Sequence, residues 1–164
     1  MLFWLLILLG LVVIDQLSKL LVVTYFATVG DSLPIIDGFF HFTYVRNPGA
    51  AFGIAGDVGF ALYFFIAVFI VALAVFGYMF FKNNFKDKKR IFYTLALTLL
   101  IAGSIGNTID RIFQPDHRVV DFIAFPAIWE PVFNVADMYL TVGITVFLID
   151  QFFFEPKRRL KKNV

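Results

Sequence analysis

Within the stretch 119–140, VVDFIAFPAIWEPVFNVADMYL, two carboxylates, Asp121 and Asp137, each interrupt a hydrophobic run. An ionised carboxylate in or beside hydrocarbon costs several kcal/mol unless it is paired, hydrated or protonated. Two carboxylates held close together resist ionising at once and share a proton, one serving as base and the other as acid. Such a pair activates water for attack on a peptide carbonyl. The chain between them is bounded by Pro126 and Pro131 and is able to fold back and bring them together.

Other catalytic schemes find less support. There is no cysteine, which excludes disulfides, thiolate metal sites and a cysteine nucleophile. A serine mechanism would draw on Ser18, Ser32 or Ser104; Ser18 adjoins Lys19, but neighbours on a helix point about 100° apart. No H-E-x-x-H or similar cluster is present, so neither a metal nor another cofactor is expected.

The elements that must position these acids follow from composition. Of 164 residues, 60% are hydrophobic and 16% charged, against roughly 45–50% and about 25% in soluble domains. Apolar runs of about 20 residues span a hydrocarbon core of roughly 30 Å, and four occur, at 2–25, 58–81, 91–109 and 132–154. The first lacks a basic leading region and a small-residue cleavage site, so it reads as a permanent helix and not a secretory signal. The chain is therefore expected to be one integral membrane domain, 1–164.

Charge sets the expected orientation. The loop 82–90 carries Lys82, Lys86, Lys88, Lys89 and Arg90, and the tail 155–164 carries Lys157, Arg158, Arg159, Lys161 and Lys162. Basic loops stay in the cytoplasm, so both termini are expected there. Beside membrane spans these clusters read as topology signals and not as nucleic-acid sites. The connections 26–57 and 110–131 then face outward. Residues 39–45 are β-prone and are followed by turn chemistry at Asn47, Pro48 and Gly49, while 118–125 offers a second short strand. The expected fold is all-α, four transmembrane helices with a small β-rich extracytoplasmic platform.

In that topology Asp15 and Lys19 of helix 1, Asn107 and Asp110 of helix 3, and Asn134 and Asp137 of helix 4 all lie toward the outer leaflet. At about 1.5 Å per residue, Asp137 is expected roughly 8 Å into a helix beginning at Val132. Gly103, Asn107 and Asp110 fall at i, i+4 and i+7 on one helical face, and Asn134 and Asp137 at i and i+3. Gly103 and Gly106 allow close approach of a neighbouring helix or a substrate backbone. Interhelical hydrogen bonding accounts equally well for Asn107 and Asn134. Asp15 and Lys19, acid first at i,i+4, form a self-compensating ion pair. Asp150 and Glu155 read as interfacial charges, and His41 and His117 as loop residues.

Five blocks in order resemble the prolipoprotein signal peptidase (signal peptidase II) family, intramembrane aspartic proteases of bacteria. They are Asp15-Gln16-x-x-Lys19, Arg46-Asn47-x-Gly49-Ala50-Ala51-Phe52-Gly53, Gly103-x-x-Gly106-Asn107-x-x-Asp110-Arg111, Val120-Asp121-Phe122 and Phe133-Asn134-Val135-Ala136-Asp137. The resemblance implies that Asp121 and Asp137 are the catalytic dyad. It also implies that Asp15, Asn47, Asn107, Asp110, Arg111 and Asn134 shape the site or hold substrate, with Lys19, Gly49 and Gly103 among the same motifs. The implied reaction cuts a lipoprotein signal peptide before a diacylglyceryl-modified cysteine, in the bacterial inner membrane, close to the outer leaflet and among membrane lipids. Met138-Tyr139 departs from the smaller polar residues frequent in the family. The alternative from another class is a small proton-coupled transporter, but a proton relay needs acids across the whole bilayer, and run 58–81 has none.

Overall fold

The structure, a computed structural model, describes residues 1–49 and 58–160. Ala50, Ala51, Phe52 and Gly53 of the second motif, and Lys161 and Lys162 of the tail, lie outside the described residues. Helix α1 (Leu2–Tyr25) leads to strands β1 (Ser32–Ile36) and β2 (Phe40–Asn47), then to α2 (Val58–Phe81). A 3-10 turn (Lys88–Arg90) opens α3 (Ile91–Phe113), followed by β3 (Val119–Phe125), β4 (Trp129–Phe133) and α4 (Val135–Ile149). A π-helical turn (Asp150–Phe154) continues α4 into α5 (Glu155–Leu160).

Among the described residues, three helical segments are long and apolar enough to cross a membrane, Leu2–Tyr25, Lys88–Phe113 and Val135–Arg159. Their polarity is inverted relative to a soluble bundle. On α1 the exposed residues include Leu2, Leu6, Leu9, Val13, Leu17 and Leu20, a stripe at helical period, while Asp15 and Lys19 are buried. Surface of that kind is stable against lipid. Helix α3 is the central member, packed against α1, α2 and α4 and buried along most of its length.

The four strands form one antiparallel sheet in the order β1-β2-β3-β4. β2 and β3 match the two strands expected at 39–45 and 118–125; β1 and β4 were not foreseen. β3 is buried on both faces, and Val120 and Phe122 pack with Tyr44 of β2 and Val22 of α1. The sheet thus sits against the end of α1, where the chain leaves its first apolar helix.

Two expected boundaries shift. α3 continues through Phe113 instead of ending at 109, because Asp110 and Arg111 turn into the protein and not toward solvent. The last helix starts at Val135 and not at 132, because Trp129–Phe133 pair with β3 and Asn134 caps the helix. Asp137 consequently lies in the first turn of α4 instead of roughly 8 Å along it. At the far end, the expected tail from 155 begins as helix α5.

Candidate active site

The sheet register delivers the first acid. Asn47 pairs with Val119 and Val45 with Asp121, so strand alternation puts Asn47 and Asp121 on one face, diagonally apart. Asn47 Nδ2 donates to Asp121 Oδ2 at 2.7 Å, while its own Oδ1 accepts the Gly49 N–H at 2.8 Å. Gly49 has φ +88°, a left-handed conformation suited to glycine. This small turn fixes the Asn47 amide with its NH2 toward the carboxylate.

The second acid is delivered by a helix start. Asn134 is the N-cap of α4; its Oδ1 accepts the Asp137 N–H at 3.0 Å, and Asp137 Oδ2 accepts the Asn134 N–H at 3.1 Å. This reciprocal capping satisfies two of the donors a helix N-terminus leaves open. Asp15 Oδ1 accepts a third, the Ala136 N–H, at 2.9 Å.

Asparagine amides join the two acids. Asn134 Nδ2 donates to Asp121 Oδ1 at 2.6 Å and to Asn107 Oδ1 at 3.1 Å. Asn107 Nδ2 donates to Asp137 Oδ1 at 2.8 Å. Asp121 and Asn134 are buried, whereas Asp137 is half-buried, so the pair is closed on the strand side and open on the helix side. Burial, and next the charge of Asp137, push the Asp121 carboxyl up to about 7, against the hydrogen bonds from Asn47 and Asn134. Asn107 and Asn134 therefore contact the acids directly, in addition to linking helices.

A second layer holds these groups. Lys19 Nζ lies 2.9 Å from Asp15 Oδ2 and 3.0 Å from Asp110 Oδ2, and donates to Asn107 Oδ1 at 3.1 Å. The expected Asp15–Lys19 pair is present, and Asp110 enlarges it. Asp110 Oδ2 also accepts the Val120 N–H at 3.1 Å, tying α3 to the strand that carries Asp121. Arg111 is buried, donates to the Asn107 carbonyl at 3.3 Å, lies 5.1 Å from the Phe69 ring and interacts with the charges of Asp121, Asp137 and Asp110. Arg46 reaches outward instead, bound to Asp116 and to Gln114 Oε1 at 3.2 Å, so it braces β2 against the α3–β3 connection.

The eleven expected site residues thus meet in one region. Gln16 had no assigned role, yet its Nε2 donates to Asp15 Oδ2 at 3.1 Å, the Gly106 carbonyl at 3.1 Å and Asp110 Oδ1 at 3.2 Å. The available signal was an uncharged polar residue beside Asp15 in an apolar run. Asp150 and Glu155 stand apart, paired with Arg158 at the other end of the bundle.

The two glycines are required by closeness. A Cβ on Gly103 would stand 2.6 Å from the Ala136 carbonyl oxygen and 2.8 Å from Leu140 Cγ, and one on Gly106 would collide with the Asp15 carboxylate. Gly103→Ala is expected to destabilise the protein by about 1–3 kcal/mol through overpacking. Gly77→Ala in α2, where nothing lies within 4 Å, is expected to stabilise by about 0.5–1 kcal/mol. Thermal unfolding of the two variants checks the contrast; equal midpoints would remove the packing role of Gly103.

Comparison with known proteins converges on one family. The signal peptidase (SPase) II family model matches residues 7–153. The lipoprotein signal peptidase of Fusobacterium nucleatum is 39% identical over 152 residues, covering 92% of this chain and 87% of that protein. The lipoprotein signal peptidase of Clostridioides difficile is 40% identical over 156 residues, covering 95% and 99%. A bacterial membrane enzyme solved by the in meso method at 1.9 Å superposes with a TM-score of 0.78 at 35% identity, covering 92% of each chain.

Proposed function

The chain belongs to the signal peptidase II family, and from that membership we propose that it is an aspartic endopeptidase with Asp121 and Asp137 as its dyad. It removes signal peptides from bacterial prolipoproteins, cutting before a diacylglyceryl-modified cysteine. The observation that carries the catalytic type is the bridging of one buried and one half-buried carboxylate by Asn134 and Asn107. Nothing favours the transporter reading.

The chemistry runs on one shared proton. The ionised member of the pair takes a proton from water as the water oxygen attacks the scissile carbonyl carbon. The protonated member donates to the carbonyl oxygen, which becomes a hydroxyl of a tetrahedral intermediate. Collapse breaks the C–N bond as the carboxyl that took the water proton delivers it to the departing nitrogen and the other carboxylate takes a proton from a hydroxyl of the intermediate, restoring the shared proton. Asn47, Asn107 and Asn134 hold the carboxylates in place, and Arg111 balances the charge of the surrounding acids. Lys19, locked between Asp15 and Asp110, is a positioning residue. Gly49 sets the turn that aims Asn47, and Gly103 lets α4 approach α3.

In this reading α2 is a fourth span, both termini are cytoplasmic, and the dyad meets its substrate at the outer leaflet of the inner membrane. A lipid-linked cysteine keeps the scissile bond at that interface, which matches an acid in the first turn of a spanning helix. A reporter placed after Lys88 is expected to read cytoplasmic and one near Asp31 extracytoplasmic; the reverse pattern would overturn the orientation. The purified protein is expected to cut a diacylglyceryl-modified precursor and spare the same precursor without lipid. Equal cleavage of both would refute the proposed substrate.

A pH profile follows from the shared proton. Raising pH through about 7, the value to which Asp121 is pushed, strips the proton and lowers the cleavage rate. Lowering pH far enough adds a second proton to the pair and lowers the rate again. Steady-state rates on lipidated precursor should be bell-shaped; a rate that climbs steadily above pH 8 would point to another base.

A further inference from the structure

A second cluster lies at the end of the bundle away from the dyad. There the 3-10 turn Lys88–Arg90 opens α3, and the π-helical turn Asp150–Phe154 joins α4 to α5. Arg158 locks the two segments together. Its guanidinium is bound to the buried Asp150 carboxylate, lies 3.0 Å from Glu155 Oε2, and donates to the Lys89 carbonyl at 2.8 Å. α5 is thereby held against the start of α3, with its own position set by a buried ion pair.

Between these segments runs a groove of about 350 Å³ with two kinds of lining. Its floor is Ile91, Phe92 and Phe154, with the two phenyl rings stacked at 5.4 Å and 15°. All three floor residues remain substantially exposed. Its rim is Lys88, Lys89 and Lys157, each exposed. Among the described residues no acidic side chain lines it. Arg158 closes one side, its charge already matched by Asp150 and Glu155, which leaves the three lysines as the uncompensated charge.

The floor belongs to two helices that are long and apolar enough to cross a membrane, and the rim sits where those helices end. An ammonium rim favours a phosphate, and an exposed stacked-phenyl floor on helices of membrane length favours acyl chains. We propose that this groove is a binding site for an anionic phospholipid, its phosphate held by Lys88, Lys89 and Lys157 and its chains lying along Ile91, Phe92 and Phe154. This site is separate from the dyad and does not depend on the protease reading.

The test counts lipids retained by the full-length protein in native mass spectrometry, with phosphatidylglycerol and phosphatidylcholine as probes. Preferential retention of one phosphatidylglycerol is expected. Lys88→Gln/Lys89→Gln should weaken it about 25-fold, from about fivefold per lysine near a membrane surface. Lys82→Gln/Lys86→Gln removes the same charge outside the groove and should change retention less than twofold. Phe92→Ala/Phe154→Ala, with no charge change, should weaken it at least about fivefold; its folding is checked by its thermal midpoint, and the lysine variants decide the matter if it unfolds. Inorganic phosphate at millimolar concentration should not displace the lipid. Equal losses in the two lysine pairs, equal retention of both lipids, or displacement by phosphate alone would each overturn the proposal.

Discussion

Asp137→Asn and Asp121→Asn are each expected to lower cleavage of lipidated precursor at least about a thousandfold, since an amide neither takes a proton from water nor shares one. The double variant should be no slower than either single, as for residues that act as one unit. Stability should behave differently from activity. The Asp121 carboxyl is pushed up to about 7 by burial and by Asp137, so above its unfolded value near 4 the unfolded chain ionises more readily than the folded one. The stability this group contributes is fully present at low pH and is lost as pH rises from about 4 to about 7. Asp121→Asn removes that loss at neutral pH. Against this, an amide turned to accept from Asn134 presents its NH2 to the Asn47 donor, forfeiting one hydrogen bond worth about 1 kcal/mol. The two effects oppose, so the melting temperature of Asp121→Asn at pH 7.5 should stay near that of the parent, with a flatter dependence on pH. Retained activity in either single variant would remove the dyad; lost activity with a collapse in melting temperature would assign Asp121 a structural role instead.

Lys19→Met carries the largest expected cost in stability. Its ammonium is 2% exposed and serves two carboxylates at once, Asp15 and Asp110, each fully buried. Removing one partner of a buried charge network costs about 3–5 kcal/mol, because the remaining charges lose their compensation. For a chain of this size that is a fall of about 10 °C in the thermal midpoint. The loss should spread to the site, since Lys19 also donates to Asn107 and Asp110 holds the β3 backbone. Adding Asp15→Asn and Asp110→Asn to Lys19→Met should recover part of the midpoint by neutralising the stranded acids. A midpoint unchanged in Lys19→Met would contradict the view of this lysine as the keystone of the second layer.

Much of this arrangement was legible because polar residues in apolar helices are conspicuous. Asp15, Lys19, Asn107, Asp110, Asn134 and Asp137 stand out against their neighbours, and helical spacing puts them on inward faces. Strand β2 was readable from β-prone residues followed by Asn47-Pro48-Gly49, and β3 from the run 118–125. β1 and β4 were not, since Pro34 and Pro131 are poor strand residues by local propensity and are tolerated here because both strands are sheet edges. The start of α4 was misjudged for a related reason. Val132 and Phe133 are as apolar as the helix that follows, and only the capping by Asn134 divides them. Gln16 stands in the first motif without an assigned role, because its role depends on Gly106 and Asp110, which lie far away in sequence. Two of its three contacts exist only once α1 and α3 are packed.

The proposed chemistry requires a single proton shared by Asp121 and Asp137 near neutral pH. The most direct measurement is the pH titration of the aspartate carboxyl carbons, by carbon-13 NMR on the labelled full-length protein in lipid nanodiscs, with Asp121→Asn and Asp137→Asn used for assignment. A carboxyl signal that titrates near 7 is expected, lost in Asp121→Asn and moved to lower pH in Asp137→Asn, where burial still raises the Asp121 carboxyl but the neighbouring charge is gone. Two carboxylates that both stay ionised down to pH 4 would contradict it.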